Sequence, residues 1–283
     1  MHDAVWPPSA RPPAPLRRDL NYTNRLAEID AGTVRLWGLG VSERRLPQHG
    51  ENVTLRHCPG ALEEPMEVIA FNGSPRKTWN TATLLGKALE GAASQGAETK
   101  LVHLYDLDFK GCRSCFGCKT KGGPSYGRCA VRDDLTPILN EIESADALVL
   151  GSPIYIGTVS GEMKSFMERL IFPFLRYAKD DDPAPSLFPR KIHTGFIYTM
   201  GVTEERMKKL DYKKDVALNE GFLRNVFGSS ESLLSFDTYQ FDDYSKIDQD
   251  RFDPEKKATR RKEQFPLDCQ KAFEMGRRLA ERN

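Results

Sequence analysis

From residue 66 onward, short apolar runs alternate with longer stretches whose apolar positions recur every three to four residues. Residues 68–71 are brief, apolar and partly β-branched, and Asn72-Gly73 stops them, which predicts a buried strand. Leu84, Leu85, Ala88, Leu89 and Ala92 then fall on one helical face. Residues 99–104 alternate as a second strand. Leu135, Ile138, Leu139 and Ile142 predict a helix, with Asp133-Asp134 placed to cap it. Residues 146–151 are a third strand. Met163, Phe166, Met167, Leu170 and Ile171 form the core face of a helix that starts near Ser160. A fourth strand at 191–200, a helical region over 204–227 and a short fifth strand at 232–236 follow. Residues 242–262 are charged and without regular pattern, and 265–282 close as a helix.

Strands alternating with helices predict an α/β three-layer sandwich, a parallel five-stranded sheet with helices on both faces. In the flavodoxin-like strand order 2-1-3-4-5, ligands bind beyond the carboxyl ends of strands one and three. Two loops meet there, 73–81 and 152–157. The first carries Gly73, Ser74, Pro75 and Arg76, then Asn80-Thr81, which can cap the following helix. Strand, polar turn and helix start form an anion site, because unpaired N–H groups and the positive end of the helix dipole converge. The spacing is neither that of a Walker loop nor G-x-G-x-x-G. It suits the phosphate of a mononucleotide such as FMN, although the same residues also serve plain helix capping. The second loop offers Pro153, Ile154, Tyr155 and Gly157 to a flat ring.

Between the second strand and the next helix lie Cys112, Cys115 and Cys118 and, after ten intervening residues, Cys129. Such thiolates can hold a [4Fe–4S] cluster, a zinc ion, or nothing, remaining as free or redox-active thiols. Cys58 and Cys269 stand alone.

Gly73-Ser74-Pro75-Arg76 with Asn80-Thr81, Ser152-Pro153-Ile154-Tyr155 with Gly157, and Ser160-Gly161-x-Met163-Lys164-x-Phe166 with Glu168-Arg169 resemble the NADPH-dependent FMN reductase family of flavodoxin-like proteins. The cysteines and Asp133-Asp134 resemble its iron–sulfur flavoprotein branch and cluster-free relatives. The gap before Cys129 is longer than that branch's compact spacing. The resemblance implies an FMN-binding domain over 66–283, ending in a C-terminal arm and helix. It implies phosphate contacts from Ser74, Arg76, Asn80 and Thr81. The ring would lie against Pro153, Ile154, Tyr155 and Gly157, with Thr199, Met200 and Gly201 as a third contact. A homodimer or homotetramer is implied as well. In such proteins the flavin carries the chemistry, and no catalytic side chain is required.

Composition narrows the picture. The chain has 41 basic and 40 acidic residues, so no charge excess points to nucleic acid. No run of 18 apolar residues suggests a membrane span, and six cysteines without an export signal suit a cytoplasmic setting. Residues 1–65 differ from the rest: their basic residues are eight arginines and no lysine, and they hold eight of the 18 prolines. They read either as translated upstream DNA, with Met66 the true start, or as a disordered Pro-rich extension.

Three functions remain open from sequence. The first is an FMN-dependent NAD(P)H oxidoreductase reducing a small acceptor of quinone, flavin or nitroaromatic type. The second is an iron–sulfur flavoprotein passing electrons between a cluster on Cys112, Cys115, Cys118 and Cys129 and FMN. The third is a flavin- or zinc-binding module with a regulatory role.

Overall fold

The computed structural model describes residues 28–30, 33–35, 64–177 and 186–281. Strands β1 (Glu28–Asp30) and β2 (Thr33–Arg35) pair antiparallel. The other expectations for residues 1–63, including Cys58, lie outside the described residues.

The main domain is built on five parallel strands: β3 (Glu67–Asn72), β4 (Glu98–His103), β5 (Ala147–Tyr155), β7 (His193–Thr199) and β8 (Glu231–Ser235). They lie in the order β4-β3-β5-β7-β8, the expected 2-1-3-4-5. A sixth strand, β6 (Thr158–Val159), folds back antiparallel on the end of β5.

Period-two alternation divides the core between the faces. In β3, Val68 and Ala70 turn to one face, Ile69 and Phe71 to the other. On the first face lie α1 (Asn80–Ala93) and α7 (Phe265–Leu279), which bring Leu84, Leu85, Ala88, Ala272, Met275 and Leu279. The second face is covered by α2 (Leu135–Ile142), α3 (Gly161–Ile171) and α5 (Lys213–Phe227), with Leu135, Met163, Phe166, Leu170 and Leu223. Helices α1 and α7 touch backbone to backbone: a Cβ on Gly276 would lie 1.7 Å from the Ala88 carbonyl oxygen, and one on Gly91 1.9 Å from that of Phe273.

Four expectations change. The 204–227 region is two helices, α4 (Glu204–Lys209) and α5, because the chain turns at Asp211 with φ +57°. The 152–157 segment is not a free loop. β5 runs on through Ser152, Pro153, Ile154 and Tyr155, and only Ile156 and Gly157 make the turn to β6. Residues 242–262 are not irregular throughout: α6 spans Pro254–Glu263. Proline in its first turn needs no N–H partner, and the Asp253 carboxylate accepts the N–H groups of Glu255 and Lys256. Finally, Asp134 occupies the cap position of α2 without capping it. Asp133 accepts the Leu135 N–H, while Asp134 accepts that of Asp108.

Candidate functional site

A cleft opens at the carboxyl ends of β3, β5 and β7. Its walls include Ser74, Arg76, Asn80, Thr81, Pro153, Ile154, Tyr155, Thr199, Met200 and Gly201. These are ten of the eleven residues singled out from the sequence. Gly157 is the exception. It sits in the β5–β6 turn at φ +89°, where an added Cβ would meet the Tyr212 ring at 3.2 Å.

The 73–76 turn is held by its neighbours. The Gly73 N–H donates to the Gly151 carbonyl at 2.8 Å, and the Ser160 hydroxyl to the Gly73 carbonyl at 2.6 Å. Asn72 accepts the Ser74 N–H on its side-chain oxygen. Buried Ser74 accepts the Arg76 N–H on Oγ, which leaves its own proton available to a ligand. The first turn of α1 leaves N–H groups without helical partners. Thr81 and Thr199, both buried, join their hydroxyls at 2.8 Å across the cleft floor.

Asn80 does not cap α1. Helix α1 has no side-chain cap at all, and Trp79 occupies the cap position. The Asn80 amide instead donates to the Tyr239 carbonyl at 2.7 Å and accepts from Arg261 at 2.8 Å. Both its ends are spent on the C-terminal part of the chain. Arg76 is exposed, lies 4.5 Å over the Trp79 ring, and donates to the Gln240 carbonyl at 2.5 Å.

Sequence reasoning missed the far wall of the cleft, which is Trp79 with residues 238–241. This wall is held from α6. The Lys257 ammonium, buried, donates to the carbonyls of Gly201 and Thr238, pairs with Asp237 at 2.7 Å, and lies 4.6 Å over the Phe252 ring. Within the wall, Gln240 Oε1 is buried and meets no hydrogen-bond donor among the described residues. The Gln240 amide faces Gly201 so closely that a Cβ there would lie 2.5 Å from it.

The cysteine segment is pinned to the end of α3 rather than to the cleft. Glu168 accepts the Cys112 N–H at 3.1 Å, and the Lys119 ammonium donates to the carbonyls of Phe172, Pro173 and Leu175. Arg169 is buried and forms a two-pronged ion pair with Asp133 at 2.5 and 2.9 Å. Burial opposes the Arg169 charge, yet hydrogen bonds with Asp133 and Cys129 carry its pKa upward. Cys112 and Cys115 are exposed, Cys118 is buried and Cys129 half-buried. Among the described residues, no group of three or more His, Cys, Asp or Glu is arranged to hold a metal ion. None of the described helices is long and apolar enough to cross a membrane.

A 2-1-3-4-5 sheet with an anion-ready turn at its switch point defines the flavodoxin-like class of α/β protein. Residues 66–184 match the model of the NADPH-dependent FMN reductase family. An iron–sulfur flavoprotein of Methanocaldococcus jannaschii is 39% identical over 104 residues, which cover 37% of this chain and 51% of the relative. One from Archaeoglobus fulgidus is 36% identical over 104 residues, or 37% of this chain and 48% of that one. The chain thus spans about half the length of the curated relatives it matches. Among solved structures, an NAD(P)H:quinone oxidoreductase from Methanothermobacter marburgensis superposes with a TM-score of 0.55 at 15% identity, covering 78% of this chain and 100% of that one. That likeness is one of fold.

Proposed function

We propose that the protein is an FMN-dependent NAD(P)H oxidoreductase that reduces a small acceptor of the quinone, flavin or nitroaromatic type. The observation that carries this reading is the convergence of Ser74, Thr81, Pro153, Tyr155, Thr199 and Gly201 on one cleft. They come from three loops far apart in sequence, and the family model matches the first two. Bound FMN would supply hydride acceptance and electron transfer. The chain supplies position. Ser74, Thr81 and the first-turn amides of α1 would hold the phosphate, and Arg76 would add charge at its edge. Pro153, Ile154 and Tyr155 offer a wall to the ring. Gln240 Oε1 is a buried acceptor awaiting a donor, which a ring N–H can answer.

Asn80 has a different part from the one implied by resemblance. It brackets the 239 carbonyl and Arg261, so its effect on FMN is indirect, through the position of the far wall.

A second reading follows from the names of the curated relatives, which are iron–sulfur flavoproteins. In it, Cys112, Cys115, Cys118 and Cys129 would hold a [4Fe–4S] cluster. The thiols as arranged here do not fit one, since no three of them gather around a common point. No step is routed through a cluster.

Purified full-length protein separates these readings. A flavin visible spectrum, FMN in the released cofactor, and steady NAD(P)H consumption with an artificial quinone are expected. A colourless protein that takes up no FMN on reconstitution would sink the proposal. Stoichiometric iron and sulfide would favour the second reading.

A further inference from the structure

Away from the cofactor cleft, and sharing none of its lining residues, a cavity of about 180 Å³ opens between α2, the 124–129 turn and the chain just after α3. The segment that leads into it is strongly basic. Residues 109–132 hold six Lys and Arg and no Asp or Glu, in a chain with 41 basic and 40 acidic residues. Arg128, Arg132 and Arg169 line the cavity against one acid, Glu143. Both Glu143 oxygens are taken by Arg128, at 2.5 Å each. Arg169 is held by Asp133, but its buried Nε meets no acceptor among the described residues. A buried donor of that kind calls for a partner. Arg132 is exposed and carries no ion pair among the described residues; its guanidinium donates only to the Cys129 carbonyl, at 3.3 Å. The exposed Asn140 amide adds a donor from α2, and Leu139, Pro173 and Phe174 supply apolar wall.

We infer that this cavity binds a small carboxylate with an apolar body, its charge met by Arg132, Asn140 and the Arg169 Nε. An arginine fork matches a carboxylate with two parallel hydrogen bonds. The volume falls below that of sites for drug-sized ligands, so the ligand has only a handful of heavy atoms. Its charge follows from the balance of the walls. Arg128 is matched by Glu143 and Arg169 by Asp133, which leaves Arg132 uncompensated. One free cation suits a single negative charge better than a phosphate dianion. Half-buried Cys129 lines the same cavity, so a bound ligand covers its thiol.

The test uses purified full-length protein with isovalerate as probe, and isovaleramide, its uncharged analogue, and inorganic phosphate as comparisons. Isovalerate should bind saturably in ligand-observed NMR, more tightly than either comparison. It should also slow alkylation of Cys129 by iodoacetamide, while Cys112 and Cys115, outside the cavity, react at unchanged rates. Arg132→Gln should weaken isovalerate about tenfold, the scale of one charge-assisted contact, and lose the protection of Cys129 in parallel. Arg113→Gln, on the same basic segment but outside the cavity, should match the wild type in both readings. Because Arg132 is exposed, its replacement should leave the thermal melt unchanged, which shows that the variant is folded. Absence of saturable isovalerate binding would overturn the inference. So would isovaleramide or phosphate binding as tightly, equal losses in the two variants, or binding that leaves Cys129 as reactive as before.

Discussion

The Lys257 ammonium donates to the Gly201 carbonyl oxygen at 2.8 Å and thereby fastens α6 to the loop after β7 that lines the cleft. The same ammonium satisfies the Thr238 carbonyl and the Asp237 carboxylate, so one buried charge ties α6 to two other segments through three acceptors. Lys257→Met keeps the aliphatic stem but leaves those three acceptors without a cation. Breaking a buried pair costs about 3–5 kcal/mol; because Asp237 retains 23% exposure, the low end applies, about 3 kcal/mol. Chemical denaturation should show that loss, and FMN should bind more weakly in the same variant. A midpoint equal to wild type would mean that α6 does not support the domain.

Gly276 and Gly91 let α1 and α7 cross in backbone contact. Gly276→Ala would drive a methyl group into the Ala88 carbonyl, which no rotamer change can relieve. Overpacking of this kind costs about 1–3 kcal/mol, and the backbone obstacle puts it at the upper end. Gly201→Ala is the contrast, since it meets only the mobile end of Gln240. Thermal melts should place Gly276→Ala well below wild type and Gly201→Ala near it. A reversal of that order would contradict the helix crossing.

Arg76 brings the one charged side chain of the 73–81 turn that lines the cleft. Charge-assisted hydrogen bonds contribute about 1.5–3 kcal/mol, so Arg76→Ala should weaken FMN by about one to two decades. Riboflavin lacks the phosphate, and its affinity should barely change. Fluorescence titration of both flavins against both proteins reads the difference. Equal losses for the two flavins would place Arg76 against the ring instead.

Asp253 has its pKa lowered from an ordinary 3.8, chiefly by the backbone N–H of Lys256, with help from the Glu255 N–H. A carboxylate whose folded pKa is depressed favours the folded helix above its unfolded value. That contribution is lost as pH falls through the folded value. Helix α6 should therefore lose protection below pH 3.8 before the sheet does. Hydrogen exchange at stepped acid pH, with Asp253→Ala as reference, measures it. Identical exchange of α6 in the two proteins at neutral pH would exclude the cap.

The four thiols of the cysteine segment should differ in reactivity. Cys112 and Cys115 are exposed, while burial covers Cys118 and pushes its thiol pKa up. Alkylation of metal-free protein should modify the first two quickly and Cys118 slowly. After anaerobic incubation with iron and sulfide, slow labelling of all four together would instead show a bound cluster. Mass spectrometry of the labelled peptides resolves the sites.

Much of this architecture was legible in one dimension. The central strands β3, β5 and β7 were visible because parallel strands buried on both faces are short apolar runs, the edge strand β4 showed as an alternation, and the 3.6-residue periodicity of α1, α2 and α3 matched the faces they bury. Helix α6 left no such trace. Its sequence, P-E-K-K-A-T-R-R-K-E, has no apolar stripe, and its one deeply buried residue is a lysine. The local signal that could have found it was Asp253-Pro254-Glu255, a cap followed by proline and an acidic first turn.

The residues of the anion turn and of the β5 end were readable from the sequence because each belongs to one strand–turn–helix unit. Their roles were not. Asn80 looked like a cap or a phosphate ligand until the fold brought Tyr239 and Arg261 to it, 159 and 181 residues away in the chain. Arg169 and Asp133, 36 residues apart, likewise become a pair only when α3 packs beside the start of α2. Local pattern reports which face of an element is apolar, since burial acts on every turn of it. A polar side chain's partner is decided by which distant donor or acceptor the packed elements bring within about 3 Å.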